Sequence, residues 1–203
     1  MKLNTFEKKV VGHPLRFWVQ NHIESKIISS VFSKESLSSE RALEIGCGFG
    51  NGIHLINRIF TPNQINAIDF DPQMVSKSQR RHQNNKNIAI DVGNAEALKF
   101  DDNTFDKVFD FAVFHHIPDW QTAIKEVYRI LRPKGYFFIE DLYRNAICNP
   151  ISKRLFQHPQ CNRFNHGELM SCLIETGFEV KKNYNTLNLF GIILAQKPVN
   201  HFD

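Results

Sequence analysis

The sequence lacks the features that mark secreted, membrane-spanning and metal-binding proteins. Its four cysteines, at positions 47, 148, 161 and 172, include no C-x-x-C pair, which argues against a disulfide framework and matches no familiar zinc arrangement. No segment approaches the roughly 20 consecutive apolar residues that a membrane-spanning helix needs, and no apolar run of signal-peptide length stands near the N-terminus. We therefore expect a cytoplasmic protein with reduced cysteines, no metal site and no membrane span.

A strong excess of one charge is also missing. The chain of 203 residues has 25 lysines and arginines against 21 aspartates and glutamates, a net charge of +4 with histidine neutral. Its basic residues are scattered, and the nearest thing to a cluster is Arg80-Arg81-His82. Because proteins that bind DNA present a concentrated basic surface, this balance predicts no DNA partner.

Strand and helix patterns alternate along the middle of the chain. Such alternation is typical of an α/β fold in which right-handed crossovers build a parallel sheet. Further along, Asn165 and Glu168 have the spacing of a capping box that opens a helix, and Gly177 would close it. The expected strands lie near 41–46, 64–69, 87–92, 107–113, 135–140, 178–182 and 189–195, the last two forming an antiparallel pair, and the main helices near 51–60, 72–84 and 119–132.

The length suits a single domain with one sizeable core. Residues 1–40, with an amphipathic helix over 14–32, would form an N-terminal lid or cap, and residues 41–141 the cofactor-binding core. Residues 142–165 are too many for an ordinary connection, which predicts a substrate-side insertion. Residues 166–203 would supply the last helix and the strand pair.

The most informative local pattern is the segment 43–50, with the sequence LEIGCGFG. An apolar strand here runs into alternating glycines and then a helix, the context in which backbone closely approaches a nucleotide-like ligand. The dinucleotide spacing G-x-G-x-x-G fails, because Asn51 stands at its third glycine. Glu44 would repel a pyrophosphate but attract a cation. The pattern therefore predicts a positively charged cofactor.

A second acid follows at the end of the next strand. Asp69 lies about 20 residues past the turn, where a carboxylate can accept both ribose hydroxyls. The turn, Glu44 and Asp69 together resemble the class I methyltransferases that use S-adenosylmethionine, whose ammonium and sulfonium groups explain the acid. The resemblance implies a Rossmann-like α/β fold: a seven-stranded, mostly parallel sheet with an antiparallel edge strand and helices on both faces.

The resemblance extends over residues 41–141 and implies further cofactor contacts. Phe70 would flank the adenine ring, and Met74 lies in the helix that follows. Asn94 stands where the family commonly has aspartate, and its amide carbonyl can still accept a hydrogen bond from the adenine amino group. The backbone amide of Ala95 would donate a hydrogen bond to a ring nitrogen of the adenine. The implied cofactor-binding set is Glu44, Gly46, Cys47, Gly48, Gly50, Asp69, Phe70, Met74, Asn94, Ala95, Asp110 and Phe111.

Two candidate catalytic side chains follow the fourth and fifth strands. His115 and Tyr143 stand where these strands should end, at the edge where open α/β sheets bind ligands. Histidine is the side chain most often used as a general base. The alternatives stay open: His115 as a backbone-bonded residue at a helix start, and Tyr143 as part of a surface loop. Cys47 has no base adjacent in sequence and is read as a packing residue.

These patterns favour an enzyme that transfers a methyl group from S-adenosylmethionine to an oxygen, nitrogen or carbon atom of a small molecule. The segment after strand four, with His115-His116 before Pro118, resembles the branch that includes quinone-biosynthesis methyltransferases. An RNA or protein acceptor and a non-catalytic S-adenosylmethionine-binding partner subunit remain alternatives. An NAD-linked oxidoreductase is disfavoured by Asn51 and Glu44. The sequence does not indicate an oligomeric state.

Overall fold

The computed structural model describes residues 15, 18, 20–32, 40–148 and 162–199. By contacts the chain divides into two compact units, Met1–Asn94 and Ala95–Asp203. The first unit contains three parallel strands in the order β3-β2-β1. A π-helical turn, Gln20–Glu24, runs directly into its first helix. The elements of this unit are α1 (Ser25–Val31), β1 (Arg41–Ile45), α2 (Asn51–Phe60), β2 (Gln64–Asp69), α3 (Pro72–His82) and β3 (Ile88–Val92).

The second unit contains four strands in the order β4-β5-β7-β6. Strands β4 and β5 are parallel, whereas β7 runs antiparallel to both β5 and β6. A short 3₁₀ turn, Phe114–His116, follows β4. The remaining elements are β4 (Phe105–Phe111), α4 (Trp120–Ile130), β5 (Leu131–Leu142), α5 (Arg144–Ile147), α6 (His166–Thr176), β6 (Glu179–Thr186) and β7 (Phe190–Gln196).

The predicted fold class is confirmed, because the seven strands form one mixed, mostly parallel sheet with its antiparallel pairs among β5, β7 and β6. The sequence of strand β1 does not alternate between apolar and polar residues. The last four residues of the strand are all buried, as expected for a strand covered on both faces. Helix α2 follows directly and buries one apolar stripe. The predicted helix 51–60 and strand 64–69 agree with the structure residue for residue.

Helix α6 begins as its sequence predicts. The Asn165 side chain accepts a hydrogen bond from the Glu168 amide, and the Glu168 carboxylate accepts one from the Asn165 amide. This reciprocal pairing satisfies two N–H groups that a helix start otherwise leaves without partners. Gly177 ends the helix in the left-handed region, with φ at 107°. The capping box fixes the position of His166, the first residue of the helix.

Strand β5 begins earlier than the predicted 135–140. It already pairs with β4 at Leu131, and the register then shifts before Tyr136. Between these residues Lys134 has a φ of 66°, and Pro133 has no amide hydrogen to donate. An irregular strand start that contains a proline resembles a loop in sequence, which explains the difference in its boundary.

The other domain assignments are only partly covered by the described residues. Residues 20–31 are helical, within the predicted helix over 14–32, but their role as a lid stays a prediction. Within the predicted insertion 142–165, helix α5 forms one turn, and residues 149–161 lie outside the described residues. The single-domain assignment likewise stays a prediction.

Candidate active site

The glycine turn joins β1 to α2 and is tied to the end of β2. Gly46, Gly48 and Gly50 have φ angles of 69°, 50° and 78°, a left-handed backbone that side chains rarely tolerate. The amides of Gly46 and Cys47 both donate to the carbonyl of Ile68, at 2.8 and 3.0 Å. The turn is therefore a fixed feature of the first unit rather than a loose loop.

Gly50 has a packing role within this turn. A Cβ atom at this position would lie 2.5 Å from Ser78 Oγ and 2.7 Å from His82 Nε2. In addition, His82 Nε2 is hydrogen-bonded to the Gly50 carbonyl at 2.9 Å. The missing side chain of Gly50 thus lets helix α3 pack against the turn, and its predicted cofactor contact stays a prediction.

Glu44 is a buried acid with an unsatisfied oxygen. Its side chain is only 2% exposed, and Oε2 has no hydrogen-bond partner among the described residues. Burial raises the pKa of this carboxyl well above its ordinary value, the negative charge of Asp69 raises it further, and a hydrogen bond from the Ile53 amide opposes both effects. A buried carboxylate oxygen without a partner is costly, and an ammonium group is the kind of ligand that would satisfy it.

Asp69, the last residue of β2, is oriented by the backbone. Its Oδ2 accepts a hydrogen bond from the Gly48 amide and its Oδ1 one from the Asp71 amide, each at 2.8 Å. Burial raises the pKa of Asp69, and these two hydrogen bonds counteract that rise. A carboxylate has about four acceptor positions. Asp69 is thereby held in place with acceptor capacity left over, and its contact with the ribose hydroxyls stays a prediction.

The remaining predicted cofactor residues differ in exposure. Phe70 is 53% exposed, so its ring has a free face, whereas Met74 is only 1% exposed and belongs to the core. Cys47 is buried, and burial raises the pKa of its thiol, in keeping with a packing residue rather than a nucleophile. Asn94 is exposed at the end of the first unit. Ala95 and Phe111 are buried in the second unit.

In the second unit the structure pairs His115 with Asp141. Both side chains are buried, at 3% and 0% exposure. Asp141 Oδ2 accepts a hydrogen bond from the His115 amide at 3.0 Å, and Oδ1 contacts His115 Nδ1 in the ring. Sequence analysis finds His115 but not this pairing. The pairing follows from the register of β4 and β5, in which Phe111 lies opposite Glu140, the neighbour of Asp141. This register cannot be recognised from the sequence.

Asp110, which was predicted to contact the cofactor, is fully buried near the end of β4. Its Oδ1 accepts a hydrogen bond from the Val113 amide at 2.9 Å. Burial raises the pKa of Asp110 well above its ordinary value, and the charge of the neighbouring Asp141 raises it further. Asp110 therefore retains a proton more readily than an exposed aspartate.

Two arginines hold the backbone around this pair. The buried Arg163 donates to the carbonyls of His115 and Ile117, the latter at 3.0 Å. Arg144 donates to the Arg163 carbonyl and to Glu168. No sequence pattern singles out Arg163, because its partners lie nearly 50 residues away. These contacts fix the 3₁₀ turn that presents His115.

Tyr143, the other predicted catalytic residue, is buried in the core, and only 1% of its surface is exposed. Its hydroxyl is hydrogen-bonded to His166 Nδ1 at 2.8 Å, and a Cβ atom on Gly191 would lie 1.7 Å from the hydroxyl oxygen. Burial raises the pKa of the phenol. The structure does not bring Tyr143 into the contacts of the His115 pair, and its catalytic role stays a prediction.

A polar cavity of about 640 Å³ opens in the second unit, lined in part by Trp120, Arg144, Arg163 and Glu168. Among the described residues, no group of three or more histidine, cysteine or acidic side chains could hold a metal ion. Within the same residues, no helix is long and apolar enough to cross a membrane.

The first unit thus combines an α/β fold with two acids, Glu44 and Asp69, close in sequence to the ends of neighbouring parallel strands. Residues 43–139 match the family described as methyltransferase domain. The match covers the part of the chain that resembles the class I S-adenosylmethionine-dependent methyltransferases, as predicted from the glycine turn. S-Adenosylmethionine, the predicted cofactor, is the cofactor of that family.

Individual relatives support the same assignment. A protein named probable phthiotriol/phenolphthiotriol dimycocerosates methyltransferase 2, from Mycobacterium ulcerans, is 34% identical over 54% of this chain and 42% of its own length. A fatty-acid O-methyltransferase of Mycolicibacterium smegmatis is 31% identical over 60% of this chain and 44% of its own length. The chain thus spans less than half the length of these relatives.

Solved structures show the same fold. A SAM-dependent methyltransferase from Aquifex aeolicus superimposes with a TM-score of 0.73 over 97% of this chain and all of that chain. The two sequences are 19% identical over this alignment. The likeness covers the antiparallel β6–β7 pair as well as the core matched by the family.

Proposed function

We propose that this protein transfers a methyl group from S-adenosylmethionine to an oxygen, nitrogen or carbon atom of a small molecule. The observation that supports the proposal most strongly is Glu44, whose buried Oε2 has no partner among the described residues. Such an oxygen fits a ligand with a positive charge. A pyrophosphate would be repelled there, which distinguishes this site from one for a dinucleotide.

Separate residues of the first unit would contact the ribose, the ammonium group and the adenine of the cofactor. Asp69, fixed by two backbone amides, would accept the ribose hydroxyls, and Glu44 would attract the ammonium group. The exposed ring of Phe70 would flank the adenine, and Asn94 would accept a hydrogen bond from its amino group. When bound, S-adenosylmethionine supplies a methyl group on a positively charged sulfur.

The protein's part in the reaction is mainly alignment. The acceptor atom forms a bond to the methyl carbon as the carbon–sulfur bond breaks, and the sulfur leaves as a neutral thioether. Because no charge has to be stabilised on the leaving group, positioning of the acceptor supplies much of the advantage. A base is needed only where the acceptor atom carries a proton.

The proposal of a small-molecule acceptor is supported by the names of the relatives, among them a fatty-acid O-methyltransferase. Those names describe proteins of which this chain spans less than half. The net charge of +4 is also mild, and the basic residues are scattered along the sequence, whereas an RNA-binding protein is expected to have a concentrated basic surface.

Calorimetry tests the cofactor first. Separate titrations with S-adenosylhomocysteine and NADH should show binding of S-adenosylhomocysteine alone, and binding of NADH alone would refute the proposal. A second assay incubates the protein with labelled S-adenosylmethionine and a metabolite pool. Label in a small molecule supports the proposal, label only in RNA or protein assigns a different acceptor, and binding without turnover indicates a non-catalytic partner subunit.

A further inference from the structure

The helices of the first unit expose charge of one sign. Helices α2 and α3, residues 51–60 and 72–82, contain no acid. In the described helical segment 20–31 the acid is Glu24, which is only 5% exposed. Asp71, which caps α3, is 3% exposed. By contrast, every lysine and arginine of these helices is exposed, and together they form the basic surface of the unit: Lys26, Arg58, Lys77, Arg80 and Arg81.

Helices α1, α2 and α3 bring these cations together. The crossovers from β1 to β2 and from β2 to β3 run in the same direction along the sheet, so α2 and α3 cover the same face. Arg81 joins α3 to the start of α2, because it donates to the Phe49 carbonyl and to the Asn51 side chain. Near the other end of α2, Arg58 donates to the Asn21 carbonyl at 2.8 Å, in the turn that leads into α1.

The cations of α2 and α3 lie close enough to affect a common neighbour. Burial lowers the pKa of His54, and the positive charges of Arg58 and Arg81, from the two helices, lower it further. Lys77 lies four residues before Arg81, on the same side of α3, and its Nζ is 5.0 Å from the centre of the Phe49 ring. The basic surface therefore extends from Arg58 on α2 to Lys77 on α3.

Exposed apolar side chains lie beside this surface, in the turn that binds Arg58. Trp18 is 52% exposed and Ile23 is 48% exposed, and Asn21, the partner of Arg58, lies between them in the chain. The Trp18 ring stacks on the His22 ring with centroids 4.9 Å apart, which holds it in an exposed position. Lys26 follows Ile23 by three residues and is exposed on the same side of the helix.

Cations beside exposed apolar side chains indicate the chemistry of a partner. The phosphates of RNA would attract the cations, but an aliphatic side chain such as Ile23 gains nothing from them. The surface of an anionic bilayer suits both groups, since its phosphates attract lysine and arginine and its headgroup boundary accepts tryptophan and aliphatic side chains. Because no helix in the described part of the chain is long and apolar enough to cross a membrane, such a contact would be made at the surface.

We propose that the basic surface, together with Trp18 and Ile23, docks the first unit on an anionic lipid bilayer. The contact is reversible, because two apolar side chains bury too little area for a permanent anchor. It does not depend on methyl transfer. A protein that fails to bind S-adenosylhomocysteine, and so contradicts the proposed function, would still bind the bilayer.

Vesicle sedimentation of the full chain at pH 7.4 tests the docking. In about 50 mM NaCl the protein should sediment with dioleoylphosphatidylcholine vesicles that contain about one quarter dioleoylphosphatidylglycerol. It should stay in solution with vesicles of dioleoylphosphatidylcholine alone. Because salt screens exposed charges, about 500 mM NaCl should release it. Absence of binding to the anionic vesicles, or binding that is equal with and without the anionic lipid, would overturn the proposal.

Two triple variants of equal net charge locate the contact. The first removes three cations of the basic surface and should lower the partition coefficient at least about 10-fold; its changes are Lys26→Gln, Lys77→Gln and Arg80→Gln. The second should bind like the wild type, because it removes three exposed cations of the second unit, with the changes Lys99→Gln, Lys125→Gln and Lys134→Gln. Circular dichroism establishes that both are folded. Equal losses in the two variants would show an effect of net charge alone and overturn the proposal.

Tryptophan fluorescence tests the apolar part of the contact. Anionic vesicles with brominated acyl chains should quench the emission of the wild type and quench Trp18→Phe far less, since the remaining Trp120 is only 3% exposed. Equal quenching in both proteins would contradict the role of Trp18.

Single-stranded RNA of about 20 nucleotides is the competing partner. We expect it to bind more weakly than the anionic vesicles do. Tighter binding of the RNA, lost in the first triple variant, would identify a nucleic-acid surface and overturn the proposal.

Discussion

Glu44 in the first unit and the His115–Asp141 pair in the second differ in how far the protein satisfies their polar atoms. In the first unit, Glu44 is buried with an oxygen that no described residue contacts. In the second unit, His115 and Asp141 are equally buried, but each is bound by protein groups, including backbone amides and Arg163. Buried polar atoms in folded proteins nearly always have partners. The open oxygen of Glu44 therefore indicates a place for a ligand, whereas the contacts of His115 and Asp141 hold these two side chains in place.

The contrast also separates two kinds of mutational effect. Changes at Glu44 and Asp69 of the first unit should mainly alter ligand affinity, and the change at Glu44 should also increase stability. Changes in the packed network of the second unit should alter stability while cofactor affinity stays the same. Four substitutions test this division.

The largest effect is expected for Asp69→Ala. Loss of two hydrogen bonds to a charged acceptor, each contributing about 1.5–3 kcal/mol, should weaken S-adenosylhomocysteine binding about 100-fold or more by calorimetry. His115→Ala should weaken it far less. The control is Asp91→Ala, at an exposed acid of β3, which should bind like the wild type. Equal affinities of Asp69→Ala and the wild type would refute the ribose assignment.

Gly191→Ala should affect stability instead. The new methyl group would overlap the Tyr143 hydroxyl, which is buried and bonded to His166, and overpacking of this kind costs about 1–3 kcal/mol. Urea unfolding should show this loss. Gly167→Ala is the matched control, because its Cβ meets only Asn165 Oδ1, at an ordinary 3.4 Å. The prediction is wrong if both alanines have the same effect.

Glu44→Gln should change affinity and stability in opposite directions. Removal of the negative charge should weaken S-adenosylhomocysteine binding about 10-fold, a change of about 1.4 kcal/mol. Because the folded protein raises the pKa of Glu44 above its unfolded value, the ionised buried carboxylate destabilises the fold at neutral pH. The free energy of unfolding at pH 7.5, measured without ligand, should therefore increase in the variant.

The same pKa shift predicts a dependence on pH. As the pH falls through the raised pKa of Glu44, the folded wild type takes up a proton more readily than the unfolded chain does. The difference in stability between Glu44→Gln and the wild type should shrink over that range. A difference that stays constant down to the ordinary titration range of glutamate would show that Glu44 is not perturbed.

The smallest effect is expected for Asn165→Ala. Loss of the N-cap side chain should cost about 1 kcal/mol in unfolding free energy, since the Glu168 amide loses its partner. S-Adenosylhomocysteine affinity should not change. Asn165→Ser keeps a capping oxygen and should recover most of the stability; without that recovery, the capping box would not be the cause.

Much of the first unit could be predicted from local sequence. The glycine turn, Glu44 and Asp69 are defined by short-range features, an apolar strand followed by glycines and an acid at the end of the next strand. The capping box at Asn165 is equally local, and the structure confirms it. The role of Gly50 was not predictable, because the residues that fill the space beside it, Ser78 and His82, belong to a helix almost 30 residues away.

The network of the second unit depends on contacts that no local pattern encodes. His115 is recognisable from its place after β4, but its partner Asp141 follows only from the pairing of β4 with β5. Arg163 comes from a segment without a motif, and its contacts with His115 and Ile117 exist only in the fold. Tyr143 has a position in sequence that suggests chemistry, whereas its surroundings are those of a packed core residue.

The most direct test of the central claim is a crystal structure of the protein with S-adenosylhomocysteine. We predict the ribose hydroxyls on Asp69 and the amino group within hydrogen-bonding reach of Glu44 Oε2, directly or through one water molecule. A ligand bound elsewhere, or one that leaves Glu44 Oε2 without a positively charged partner, would contradict the account.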